Sequence, residues 1–276
     1  MANAENSLPP DLRIAVVGLG AIGTRVVEAL DRGIDGLALT AVSVQNPEKH
    51  RSRLAGLTRP PAVLPIEVLV EVADIVIECA PGRLVRSIVV PFVTSGKTAV
   101  VLSVGALLDH EDLVELARQN GGQIVVPTGA LIGLDAVTAA AVGSIRSVRM
   151  VTRKPPGGLA GAPYIVANNI SIEGLAEPLK IFDGTAREAA RGFPANVNVA
   201  AALSLAGIGP DRTTIEIWAD PTVTRNVHRI DVESDSARFS MSIENIPSEN
   251  PKTGLITSLS VIACLRKLRA PLRVGT

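Results

Sequence analysis

Leu12-Arg-Ile-Ala-Val-Val-Gly18-Leu-Gly20-Ala-Ile-Gly23 is the stretch that decides the fold. A short β-branched apolar run meets Gly18-x-Gly20-x-x-Gly23, and a helix-forming segment, Ala21–Asp31, follows at once. Each glycine has a task. The first allows a tight turn out of a strand, the second lets backbone approach a pyrophosphate, and the third lets helix pack close to strand. The helix N-terminus adds unpaired N–H groups and a partial positive charge. Gly18, Gly20, Ala21, Ile22 and Gly23 are therefore the expected cradle of a dinucleotide.

Outward from this unit the first half alternates between strand and helix patterns. Short Val- and Ile-rich runs at Arg13–Val17, Leu37–Val44, Asp74–Cys79, Thr98–Ser103 and Gln123–Pro127 read as strands buried on both faces. Between them, Ala21–Asp31, Pro47–Leu54, Leu84–Thr94 and Asp109–Asn120 read as helices, the last with Asp109 as cap and Gly121 after its end. After Thr128 the rhythm changes. Gly129–Asp135 reads as a hinge or ligand loop before a small helix at Ala136–Val142. A strand at Ser147–Thr152, a Gly/Pro loop at Pro155–Pro163 and helices at Thr185–Arg191 and Asn198–Ala206 follow. Strands at Thr214–Ala219, Val227–Glu233 and Ala237–Ile243 then run without intervening helices, and an apolar helix at Thr253–Leu268 closes the chain. The expected fold is α/β, an N-terminal Rossmann-type doubly wound parallel sheet with a second α+β domain of mostly antiparallel strands. In residues this gives a flexible tail over 1–11 and a dinucleotide-binding domain over 12–128, completed by the helix at 250–270. A substrate and dimerisation domain takes 129–247.

Composition removes several classes of function. Formal charge balances at zero, without the basic footprint of a nucleic-acid binder. Aromatics are 2% of the chain, too few for base-stacking platforms. No apolar run reaches the ~18 residues of a membrane span, and the polar first ten residues carry no signal core, so the expected location is cytoplasmic. Cys79 and Cys264 lie apart in apolar segments, which reads as two buried thiols with neither disulfide nor metal role.

Ligands of open α/β sheets bind beyond the carboxyl ends of the strands. Besides the glycine turn, two small-residue loops leave those ends, Ala80-Pro81-Gly82 and Ser103-Val104-Gly105. The second strand ends in Gln45-Asn46, where an NAD site usually carries an acid for the ribose 2′-OH. Amides bond that hydroxyl without repelling a 2′-phosphate, and Lys49, Arg51 and Arg53 follow, so the cofactor is NAD or NADP. His50 and His110 sit in charged, solvated segments. In Asn226-Val-His-Arg-Ile-Asp-Val232, alternation puts Asn226, His228, Ile230 and Val232 on one inward face. Two readings of His228 stand open, a satisfied structural histidine and a proton carrier. Asn196 and Asn198 open a helix without charge, as caps or as amides for a nicotinamide or substrate. Asn250-Pro-Lys252-Thr253 opens the last helix, either as a plain start or as a carboxylate site.

Taken together, these segments resemble the NAD(P)-dependent L-aspartate dehydrogenase family from Arg13 onward. The resemblance is carried by Val-Val-Gly18-Leu-Gly-Ala-Ile-Gly23, Leu102-Ser-Val-Gly-Ala106, Gly129-Ala-Leu-Ile-Gly-Leu-Asp-Ala136, Phe193-Pro-Ala-Asn-Val-Asn-Val-Ala200, Asp220-Pro with Asn226-Val-His228, and Asn250-Pro-Lys-Thr253. It implies interconversion of L-aspartate with oxaloacetate and ammonia through iminoaspartate, which can feed pyridine nucleotide biosynthesis. It implies that His228 is catalytic, and that the Ala130 carbonyl and Asn198 or Asn196 touch the cofactor. Asn196, Lys252 and Thr253 are then substrate candidates, with Arg225 a further cation for its carboxylates. The family implies a homodimer. Two features depart from its pattern, the Gln45-Asn46 strand end and Gly254, where a small hydroxyl residue is expected.

Overall fold

The computed structural model describes residues 11–194, 197–247 and 254–276. Two sheets organise them. The first is six-stranded and wholly parallel, in the order β3-β2-β1-β4-β5-β6. Its strands are β1 (Leu12–Val17), β2 (Leu37–Ser43), β3 (Ala62–Val63), β4 (Ile75–Glu78), β5 (Thr98–Val101) and β6 (Gln123–Val125). The chain reverses direction of travel between β1 and β4, the switch point where doubly wound sheets open a crevice.

Alternation on β1 explains why both faces are covered. Ile14 and Val16 point to one side, where α1 (Ala21–Asp31), α2 (Pro47–Ala55) and a C-terminal helix pack through Val26, Leu30, Leu54, Val261 and Leu265. Ala15 and Val17 point to the other, beneath α3 (Leu69–Val72), α4 (Val85–Thr94), α5 (Val104–Leu107) and α6 (Asp112–Asn120). A strand with no solvent side has no use for polar residues, hence its near-continuous apolar run.

The second sheet has the order β11-β10-β7-β9-β8. It is built from β7 (Ile145–Lys154), β8 (Leu179–Thr185), β9 (Thr214–Ala219), β10 (Asn226–Ser234) and β11 (Arg238–Asn245). Its inner face packs on α7 (Leu134–Ala141), α8 (Pro163–Ala167), α9 (Ala186–Gly192) and α10 (Asn198–Ala206). The sheet is mixed, because β7 and β9 run parallel while the other three pairings are antiparallel. The remaining helix, α11 (Leu255–Arg269), lies against α1 of the first sheet.

Several expected boundaries shift for identifiable reasons. β5 stops at Val101 rather than Ser103, because the Leu102 and Ser103 N–H groups turn to the Glu78 carboxylate. Asp109 does not cap α6. Backbone bonds from Asp109 to Ala106 and from Leu113 to His110 keep the chain turning helically there, and α6 begins at Asp112 after Glu111. Gly121 does end it, in the left-handed region. β7 extends two residues beyond Thr152, to Lys154. β8 falls in a stretch without clean alternation and is absent from the sequence reading. Thr185 caps α9 through a reciprocal pair with Glu188, as a capping box should.

Candidate active site

The glycine turn is built as its spacing demands. Gly18 leaves β1 at φ +91°, and a Cβ there would stand 2.5 Å from the Cys79 carbonyl oxygen. A Cβ on Gly23 would collide with the Gly18 carbonyl. Gly20 differs, because a Cβ there would meet nothing within 4 Å. That open space lies before an α1 N-terminus with no side-chain cap and no acid in its first turn. The turn therefore fits the pyrophosphate of a dinucleotide: the protein leaves the helix N–H groups without a capping side chain and keeps the approach clear. Ala21 and Ile22 form the first turn, and Ile22 reaches the cavity described below.

At the end of β2, Gln45 is exposed. Asn46 has another occupation, since its Oδ1 accepts from the Lys49 N–H at 3.2 Å and caps α2. The amide expected at the ribose thus also serves as a helix cap. Arg53 donates to the Thr24 hydroxyl at 2.9 Å, and Lys49 and Arg51 are exposed.

Beneath the loops after β4 and β5 sits Glu78, fully buried. Its carboxylate accepts from Ala80 N–H (2.9 Å), Leu102 N–H (3.0 Å), Ser103 N–H (2.8 Å) and Ser103 Oγ (3.0 Å). Burial raises its affinity for a proton, and these donors oppose that. Ala80, Leu102 and Ser103 are tied together by this one side chain, which the sequence reading missed. The signal was present: an acid ending an otherwise apolar buried strand, Ile75-Val-Ile-Glu78.

Between the sheets lies a cavity of about 930 Å³, counting the part open to solvent. From the first sheet it is lined by Ile22, Cys79, Ala80, Ser103 and Val104. From the second half come Ala130, Lys154, Asn198, Asn226 and His228. Gly18, Gly20, Gly23, Gln45, Asn46, Pro81 and Gly105 lie outside its lining, on the turns and loops beside it. Gly105 is tied to it, because its N–H donates to Asn198 Oδ1 at 3.0 Å. That bond answers the capping question for Asn198: α10 follows Val197 without a side-chain cap, and the Asn198 amide reaches across to the first sheet instead. The Ala130 carbonyl accepts from Asn245 Nδ2 at 3.0 Å while lining the cavity. Asn196, Lys252 and Thr253 lie outside the described residues. Arg225 is exposed in the turn before β10 and does not reach the lining.

His228 is 2% exposed. It stands directly opposite Thr152 in the β7–β10 register, with Nδ1 3.1 Å from the Thr152 hydroxyl. With Nδ1 so engaged, Nε2 is the nitrogen left for proton transfer. Burial, reinforced by the Lys154 charge, pulls its pKa down to about 3, so the ring is neutral at physiological pH. Lys154, 3% exposed, lies on the same inner face as Thr152. The sequence reading ended β7 at Thr152; carrying the alternation two residues further places this lysine inside. Cys79 and Cys264 are free and partly rather than fully buried, and burial raises both thiols above their ordinary range. No cluster able to hold a metal occurs among the described residues.

The chain is similar to known proteins along nearly its whole length. Residues 135–268 match the family model for the C-terminal part of aspartate dehydrogenase, and residues 18–127 match the NAD-binding domain of homoserine dehydrogenase. The L-aspartate dehydrogenase of Bradyrhizobium diazoefficiens is 71% identical over 96% of this chain and 95% of its own length. L-aspartate dehydrogenase 3 of Bordetella bronchiseptica is 57% identical over 96% and 98%. Among solved structures, aspartate dehydrogenase from Thermotoga maritima superposes with a TM-score of 0.74 at 22% identity, over 96% of this chain and 99% of that one. Two sheets with a switch-point crevice, a glycine turn clear of side chains and relatives this similar along nearly the whole length lead to one assignment: the chain belongs to the L-aspartate dehydrogenase family.

Proposed function

We propose that this chain catalyses the NAD(P)-dependent oxidation of L-aspartate to iminoaspartate, its hydrolysis to oxaloacetate and ammonia, and the reverse reductive amination. The observation that carries the reading is the meeting, in one cavity, of the loops beyond β4 and β5 with a buried neutral imidazole from β10. When bound, the nicotinamide supplies the hydride acceptor or donor for Cα.

The glycine turn and the α1 N-terminus hold the pyrophosphate. Gln45 and Arg53 border the adenosine ribose and admit NAD or NADP. Ala80, Ser103, Val104, Ala130 and Asn198 shape the ring end, with Glu78 fixing the first two. His228 Nε2 takes a proton from the water that adds to the imine carbon and passes it to the imine nitrogen, while Nδ1–H donates to Thr152. The hydroxyl proton then moves to the same nitrogen as the C–N bond breaks, the carbonyl forms and ammonia leaves. In the amination direction the protonated ring returns the water proton. Asn196, Lys252 and Thr253 complete the substrate side.

The chain acts as a homodimer in the cytoplasm. Arg149, Val151, Trp218, Val227 and Arg229 form a shallow depression on the outer face of the second sheet, a surface that a second copy would cover. No helix of the described residues is long and apolar enough to cross a membrane.

The decisive assay is oxidation of NADH and NADPH with oxaloacetate, with and without ammonium. Turnover that requires ammonium is expected. Ammonium-independent turnover would instead indicate a keto-acid reductase. Reduction of aspartate semialdehyde would indicate a homoserine-type enzyme, a reading favoured only by the match of the cofactor half.

A further inference from the structure

A C4 dicarboxylate brings two negative charges into a cavity that must hold them away from water. Among the described lining residues there is no Asp or Glu, and Lys154 is the one lysine or arginine. Arg225, the cation nearest to the site in sequence, is exposed and outside the lining.

The position of Lys154 follows from the strand pattern. On β7, Val148, Met150, Thr152 and Lys154 share the inner face; on β10, Val232, Ile230, His228 and Asn226 do. The strands are antiparallel, with Val148 opposite Val232, Met150 opposite Ile230 and Thr152 opposite His228. Both strands therefore change from apolar to polar at the same level, moving from the core into the cavity. Lys154 lies one step beyond the Thr152–His228 pair, diagonal to the imidazole. Lys154 is 97% withdrawn from solvent and yet lines the cavity, so an anion that enters meets its charge with little screening by bulk water. Core packing does not require a lysine here, since the same face is filled by valine and methionine below.

We propose that the Lys154 ammonium binds a carboxylate of the dicarboxylate substrate and so orients Cα toward the imidazole of His228. This rests on the dehydrogenase reading above. The two groups then have separate tasks on one sheet face. Lys154 holds the anion; burial first, and the Lys154 charge second, keep His228 neutral. An anion seated on Lys154 offsets that charge, so the imidazole gains basicity when substrate is present.

The test is Lys154→Met in the full chain. The KM for oxaloacetate, at saturating ammonium and NADH, is expected to rise roughly 10²-fold, the scale of removing one partner of a buried charge-assisted contact. The NADH Kd should stay within about twofold, and kcat should fall much less than KM rises. Lys154→Cys treated with 2-bromoethylamine, which restores an ammonium at nearly the same reach, should recover most of the lost affinity. A variant with unchanged KM, or a loss that the restored ammonium does not reverse, overturns the proposal. If Lys154→Met does not bind NADH, Lys154→Gln is read the same way, its amide keeping a polar end in the buried position. A wild-type enzyme inactive with oxaloacetate and ammonium would instead defeat the dehydrogenase reading. The Lys154 assignment would then be tested by whether succinate binding to the NADH complex is lost in the same variants.

Discussion

The two sheets present different surfaces to the cavity between them. The first presents backbone: three turns at strand ends, small residues throughout, and a helix N-terminus left without a cap. The second presents side chains, Thr152, Lys154, Asn226 and His228, all on the inner face of two neighbouring strands. A backbone site is specified by what must be absent, namely Cβ atoms. A side-chain site is specified by polar groups standing where alternation calls for apolar ones. The first kind breaks when an atom is added and the second when one is removed.

The largest effect should come from adding one carbon to the backbone site. Gly23→Ala places a methyl against the Gly18 carbonyl, where neither backbone segment can yield. A loss on the order of 4 kcal/mol or more is expected, with NADH binding abolished, in denaturant unfolding and fluorescence titration. Gly20→Ala is the control that sharpens the contrast. Its methyl meets nothing in the protein, so the thermal midpoint should move by less than about 2 °C while NADH affinity falls by roughly tenfold or more. Equal stability losses in the two variants would show that Gly20 is structural and that the open space holds no phosphate.

Removal is the matching test in the second sheet. His228→Asn should lower kcat by ~10²–10⁴-fold and leave the NADH Kd nearly unchanged. The same variant carries a pH signature. Folded His228 protonates only near pH 3, whereas an unfolded histidine does so near 6.5. As pH falls through that interval the unfolded state takes up a proton that the native state excludes, so native stability is full above about 6.5 and declines toward 3. Wild type should lose about 2 kcal/mol between pH 7 and 5 from this group, and His228→Asn should lack that loss. Urea midpoints at the two pH values decide it. An identical decline in both proteins would mean that His228 is solvated, and its assignment as a desolvated base would fall.

The same contrast explains what was legible in the sequence. Glycine spacing after a β-branched run is local, so Gly18, Gly20 and Gly23 could be read from twelve consecutive residues. Alternation placed His228 inward, because Ile230 and Val232 flank it on its face. It missed Lys154 only because β7 was ended two residues early. Glu78 was passed over as part of an apolar strand, although a charge there had to be satisfied by distant N–H groups. Asp109 was misjudged as a cap, because a cap depends on the conformation of the preceding chain, which Ala106 and Leu107 keep turning helically. β8 could not be read, since its inward positions, Ile181 and Phe182, are adjacent across a register shift next to β9.

The smallest effect should appear where the two kinds of site join. Asn198 extends from α10 to the Gly105 N–H, so a side chain of one half completes the backbone of the other. Asn198→Ala leaves that N–H without its acceptor in a half-buried place, at a cost of about 1–2 kcal/mol. The loop after β5 then loses its anchor on the second half, though Glu78 still holds the Leu102 and Ser103 N–H groups. NADH affinity should drop about tenfold, with kcat for oxaloacetate and ammonium reduced less than that. If kcat instead falls further than NADH affinity, the Asn198 amide acts on the reacting atoms rather than on the loop. It would then belong with His228 among the side chains of the second half, and the division between the two sheets would run through α10 instead of beside it.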